Sequence, residues 1–293
     1  MSATHIEDLA IKPIRDLPDE HARKPWLGQA VGWLALALFT VWFLRLFLAN
    51  PKLKPELIWK YLFNERILEG LWSTLLLAFY SMIGALIFGT VIGFCRISAN
   101  PVLRATGWLY VWVFRSTPLV VQVLLWGNLA LLMPVLGIGP FTVKTNDVMT
   151  PFLAGVIALM LHEASYVAEI VRSGVQSVPR PQREAADALA LSWWETQRYI
   201  IMPQALKVMI PPLGGVFVLL LKSTSLVIVI SGGDLLTEAQ NIASLNLYTI
   251  ELLLVATVWF LIITSIAYAG QHYLEWRFNR QNHAHAGGVN EHG

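Results

Sequence analysis

The chain has 293 residues, 56% of them hydrophobic and 14% charged, with a formal net charge of +2. A soluble domain carries about 25% charged residues, so the composition excludes an ordinary soluble domain and indicates a polytopic membrane protein built as one helical bundle. The small net charge says little about partners and nothing implies nucleic acid; the single cysteine, Cys95, excludes an internal disulfide.

Residues 1–26 are polar, with Lys12, Arg15, Arg23 and Lys24 set among acidic residues and Pro13, Pro18 and Pro25 opposing a long helix. They read as a retained cytoplasmic tail, too long and too acidic for the basic region of a signal peptide. Residues 27–48 form a first span, long enough for a hydrocarbon core of about 30 Å. An external segment follows, with Leu57, Ile58, Tyr61 and Leu62 spaced for a helix in the interface. Its Lys52, Lys54, Lys60 and Arg66 count against placing it outside.

The second span covers residues 71–94, with Gly84, Gly89 and Gly93 as close-packing positions. The third apolar stretch, 105–133, is too long for one straight span. Pro118 lacks a backbone donor, so the helix must kink or restart within Phe114-Arg115-Ser116-Thr117-Pro118. A Gly/Pro-rich external loop takes residues 134–150, and the fourth span takes 151–171. Residues 184–203 form a polar island, read as one amphipathic helix stopped by Pro203. On that single helix Ala186, Leu189 and Trp193 share the apolar face, while Leu191 falls among the charges. The fifth span is 211–230, a short external stretch holds Gly232, Gly233 and Asp234, and the sixth span is 247–269. Residues 279–293 read as a disordered tail, whose His283, His285 and His292 are solvated rather than metal-binding.

Six spans place both termini on one side. Most of the 21 Lys and Arg residues lie on the side that carries the termini and residues 184–203, which makes that side cytoplasmic. Ionisable residues inside spans must face the bundle, a partner or a wet cavity. His162, Tyr166 and Glu169 share one helix face at i, i+4 and i+7. Glu163 and Lys222 fall at similar depth in antiparallel spans and form a candidate buried ion pair.

The order of residues in the polar island is more specific than its periodicity. Glu184-Ala185-Ala186, a gap, then Ile200-Ile201-Met202-Pro203 resembles the EAA loop of ABC-importer permeases, with Ala190 at the usual Gly position and Met202 at the usual Leu. Ala at 190 implies a weaker break between the two short helices of that loop. Three further stretches resemble the polar amino-acid subfamily of these permeases. They are Gly70-Leu71-Trp72-Ser73-Thr74-Leu75, Phe114 through Gln122, and Ser165 through Pro179. Leu221-Lys222-Ser223-Thr224-Ser225-Leu226 is similar to a fourth. The resemblance covers residues 68–278, with residues 27–67 as an extra first span and external segment.

The resemblance implies an all-α type I ABC-importer transmembrane domain with a cytoplasmic coupling loop at 184–203. It implies that Glu184, Ala185, Ala186, Leu191 and Pro203 couple to an ATPase, with Glu184 as polar anchor. Carried over position by position, it makes Thr117, His162, Tyr166, Glu169 and Ser223 candidates for the substrate pathway. His162-Glu163 stands where the family has Asn-Ser, and Ser223 where it often has Asp; the missing acid at 223 argues mildly against a strongly cationic substrate. The implied partners are two ABC ATPase subunits holding ATP and Mg, a second permease chain, and an external solute-binding protein. Lipid surrounds the bundle in a bacterial inner membrane.

The chain lacks G-x-x-x-x-G-K-[ST], H-E-x-x-H and G-x-S-x-G, so no enzyme site and no cofactor of its own is expected. Two other classes use the same residues differently. One is a proton-coupled secondary transporter with His162, Glu163 and Glu169 as relay. That model gives the 184–203 loop no role. The other is a membrane enzyme with His162 and Glu163 as acid and base, for which nothing supplies a nucleophile or metal site beside them.

Overall fold

The computed structural model describes residues 25–49 and 53–286. The expected tail at 1–24 and the histidines His292 and, by side chain, His283 and His285 lie outside the described residues. The chain divides at residue 53 into two units. The first unit contributes α1, Pro25–Leu48, an apolar helix with Arg45 in its last turn.

The second unit opens with α2, Pro55–Leu62, a short amphipathic helix started by Pro55. The first long helix is α3, Glu65–Ile97, capped by Asn64, whose side chain accepts from the Arg66 N–H at 3.1 Å. α4, Pro101–Ser116, starts on the same logic: Asn100 caps it and Pro101 occupies its first turn. α5, Leu119–Gly127, follows after a bend of 98° at Thr117 and Pro118, where the sequence placed the restart. The one-turn helix α6, Leu129–Leu132, leads to an antiparallel hairpin of β1, Val135–Ile138, and β2, Phe141–Lys144. The one-turn α7, Thr145–Val148, closes that loop.

α8, Pro151–Gln176, is capped by Thr150 and is the most buried of the long helices. It lies along α3. Gly89 and Gly93 permit that approach: a Cβ on Gly89 would stand 2.6 Å from the Val167 Cβ, and one on Gly93 2.7 Å from the Val171 Cβ. α9, Arg180–Ala188, is followed by α10, Trp193–Glu195, and a π-helical turn, Thr196–Ile201. α11, Met202–Ser223, runs on into a 3-10 turn, Thr224–Ile230. α12, Leu235–Asn246, is capped by Asp234, and α13, Thr249–Ala286, completes the bundle.

Among the described residues four helices are long and apolar enough to cross a membrane, and the bent α4–α5 pair makes a fifth. The described apolar part of α1, Gly28–Trp42, is shorter than a span. Three local expectations change. The 134–150 loop contains the hairpin, and the stretch after Ile230 is the helix α12. The fifth long helix starts at Met202, so Pro203 opens it in its first turn instead of stopping the preceding one, and Pro211 and Pro212 lie inside it. Small residues, Ala164, Ala168 and Ala205 among them, are fully buried where helices cross.

Candidate functional site

Two polar interruptions of the bundle carry the sequence-predicted site residues. The first is the segment between α8 and α11. It is not one helix. α9 ends at Ala188, and Ala190 takes a left-handed φ of 53°. Ser192 then restarts the chain with a capping box: Glu195 Oε2 accepts from the Ser192 N–H at 2.8 Å and from its hydroxyl at 2.6 Å. The break expected to be weak is therefore fully made, with Ala in the glycine-type conformation.

That break resets the helical phase and corrects the single-helix face. Ala186 is fully buried, but Leu189 and Trp193 are 74% and 56% exposed, so neither packs the segment onto its bundle. The anchoring comes instead from Ile201 and Ala205, both buried against Val171, Val175 and Val178. Arg183 adds a hydrogen bond from Nη2 to the Val175 carbonyl at 2.6 Å, and the Gln204 side-chain amide donates to Gln182. Glu184, Ala185, Asp187 and Pro203 are exposed, and Leu191 is half-buried.

The second interruption is the α4–α5 break. Gln122, buried in the first turn of α5, turns its side-chain nitrogen back across the bend. That nitrogen lies 2.7 Å from Thr117 Oγ1 and 3.0 Å from the Phe114 carbonyl. It also lies 3.2 Å from His162 Nδ1 on α8. The His162 and Tyr166 rings are 5.5 Å apart, and the Arg115 guanidinium lies 4.8 Å over the Tyr166 ring. Thr117, His162 and Tyr166 are thus brought together around Gln122 and Arg115. Gln122 Oε1 is buried without a partner, an open acceptor at the bend. Gln122 belongs to the stretch whose order resembled the permeases, but no periodicity singled it out; Arg115 was visible only as a charge inside a span.

Glu169 and Ser223 stand apart from this cluster. Glu169 pairs with Arg96 at the end of α3 and with Arg172 Nε at 2.8 Å. The Ser223 hydroxyl donates to the Leu219 carbonyl of its own helix at 3.1 Å. The proposed Lys222–Glu163 pair is not formed: Lys222 Nζ lies 3.2 Å from the Tyr268 hydroxyl, and Glu163 is buried on α8. The span expected from residue 211 starts at Met202 instead, and α13 supplies the neighbour of Lys222. His162, Glu163 and Glu169 form no hydrogen bonds with one another among the described residues: His162 meets Gln122, and Glu169 meets Arg172. No three His, Cys, Asp or Glu side chains among the described residues come together as metal ligands.

Long apolar helices around a polar bend, with a polar helical projection, mark a polytopic membrane protein. The chain belongs to the family of binding-protein-dependent transport system inner membrane components, the permease subunits of ABC importers, whose family model matches residues 85–280. It is 38% identical over 271 residues to the arginine transport system permease protein ArgU of Corynebacterium glutamicum, covering 92% of this chain and 84% of that one. It is 36% identical over 201 residues to the glutamine transport system permease protein GlnP of Escherichia coli K12, covering 68% of this chain and 87% of the relative. Its fold is similar to that in a crystal structure of an amino acid ABC transporter with histidines. There the TM-score is 0.63 at 31% identity, over 72% of this chain and 94% of that one. A subunit of the MetNI methionine ABC transporter, at 17% identity and TM-score 0.60, shows likeness of fold alone.

Proposed function

We propose that this chain conducts a polar amino acid or a related small solute inward across the cytoplasmic membrane, driven by ATP hydrolysis on separate subunits. Two ABC ATPase subunits, holding ATP and Mg, dock on the cytoplasmic face. A second permease chain, identical or homologous, completes the pathway, and an external solute-binding protein delivers substrate. Both termini and residues 184–203 face the cytoplasm, where the positive-inside rule puts the more basic segments.

One observation carries the reading: α9 presents Glu184 and Asp187 outward while Ala186 is buried, and the chain beyond it is held to α8 by the buried Ile201 and Ala205. A load applied to α9 passes through the capped break at Ser192 straight into α11, one of the long spans. Closure of the ATPase pair then tilts α11 and switches the solute pathway between inward and outward access. The polar corner of Thr117, Gln122, His162 and Tyr166 is the candidate solute contact, because Gln122 Oε1 offers an acceptor with no internal partner. Substrates named for the relatives, arginine and glutamine, support the amino-acid class.

The test is reconstitution with the ATPase subunits and binding protein in liposomes. Glu184→Lys reverses the charge of the exposed anchor. ATP-driven uptake should fall at least about tenfold, equivalent to about 1.4 kcal/mol of coupling, while the amount of permease in the membrane stays constant. Unchanged coupling removes Glu184 from the mechanism.

A further inference from the structure

A groove of about 1250 Å³ opens beside the 184–203 segment. One wall is apolar: Val91 and Phe94 from the last turns of α3, continued by Leu103 of α4. Val91 is 54% exposed on a membrane-spanning helix, so this wall continues the surface the bundle presents to acyl chains. The opposite wall is the restart after the break, where Trp193, Trp194 and Tyr199 are all exposed. Aromatic rings of this kind settle at the level of lipid headgroups.

The polar end of the groove has Arg183, Gln197 and Arg198. Its one acid, Glu195, is already taken by the backbone and hydroxyl of Ser192. Arg183 satisfies Nη2 on the Val175 carbonyl, yet its Nε is buried with no partner. Gln197 Oε1 is buried without a partner as well. A buried donor and a buried acceptor left unpaired on residues that line one groove are costly unless a partner reaches them. The adjoining pocket shares Gln176 and adds Arg96, Arg104 and Arg172, of which Arg96 and Arg172 share the single carboxylate of Glu169. The local field is therefore positive, next to an acyl-chain surface.

We propose that the groove is a binding site for an anionic phospholipid of the leaflet on the 184–203 side. The phosphate lies at Arg183 and Arg198, and a headgroup hydroxyl donates to Gln197 Oε1. One acyl chain runs along Val91, Phe94 and Leu103. Anionic headgroups favour basic pockets between helices at this depth, and the guanidinium fork suits phosphate. The occupant then holds the Ser192 restart against α3 and α8, so lipid charge sets how firmly α9 is coupled to α11. The site is independent of which solute is carried.

The experiment is a native mass spectrometry titration of the full-length permease, purified in detergent, with phosphatidylglycerol and phosphatidylcholine of identical acyl chains. Phosphatidylglycerol should bind about ten times more tightly, a difference of about 1.4 kcal/mol. Arg183→Gln with Arg198→Gln should remove that preference, and Arg198→Lys alone should retain part of it. Equal binding of the two lipids, or a preference that survives the double substitution, overturns the proposal. So does displacement by millimolar glycerol phosphate, which would make this a site for soluble anions. Should the double variant fail to fold, a benzophenone amino acid at the exposed position 194 reads the occupant in native membranes. A phospholipid adduct supports the site; an adduct to an ATPase subunit or a second permease chain overturns it.

Discussion

Ala190 holds a φ of 53°, a conformation that costs an L side chain roughly 1–2 kcal/mol and costs glycine little. Ala190→Gly should therefore raise the melting temperature in detergent, by about 1 kcal/mol of stability at most. Ala190→Val should lower it by more, because a β-branched side chain is worse placed there. If both substitutions left stability unchanged, the break would not be a fixed part of the segment. Asp234 is a second informative residue. It is buried at the start of α12, and desolvation pushes its carboxyl above the ordinary range, against hydrogen bonds from the Thr237 hydroxyl and the Leu236 N–H that pull it down. A raised folded value stabilises the protonated form. The contribution is fully present below the unfolded value and is lost as pH rises through the folded one. Asp234→Asn should flatten that fall in a pH series of denaturation curves; an unchanged slope would assign it to another group.

At the scale of elements, the contact of α3 with α8 and the α4–α5 bend hold the polar corner in place. Gly89→Val puts methyl groups into the Val167 side chain, and overpacking of this kind costs about 1–3 kcal/mol. A lower melting temperature with unchanged membrane insertion is the expected result. Gln122→Leu removes the brace across the bend, leaving the Phe114 carbonyl without its side-chain donor, at about 1–3 kcal/mol. Uptake should fall with it, whereas stability alone would fall if the bend had no part in transport. The long helices and the Pro118 restart were legible because apolar runs and proline act locally. The start at Pro151 was read correctly, whereas α4 begins at Pro101, before the expected 105, on the Asn100-Pro101 cap that apolarity alone passes over. The 184–203 segment was misread as one helix because a left-handed alanine and a capping box reset the phase, and periodicity assumes a constant phase. The hairpin and α12 escaped for a related reason: Gly139, at a left-handed φ of 61° between the strands, and Asp234 are specific to turn and cap, but neither announces the element beyond it.

At the scale of the molecule, the motif order identified the family where composition alone gave only a membrane bundle. The order was blind to contacts made at long range, which explains its errors at the site. Glu169 lies on the predicted face of α8 with His162 and Tyr166, but Arg96 from α3 captures it. Lys222 lies at the expected place on its helix motif, yet Tyr268 of α13 is its neighbour. We propose that the exposed face of α9 receives the ATPase subunits. Affinity purification from mild-detergent extracts, comparing the wild type with Glu184→Lys and identifying co-purifying proteins by mass spectrometry, tests it most directly. A P-loop ATPase recovered with the wild type and lost with the variant is the predicted result. An ATPase that remains bound at wild-type levels to Glu184→Lys, or none recovered with a folded wild-type bundle, would contradict it.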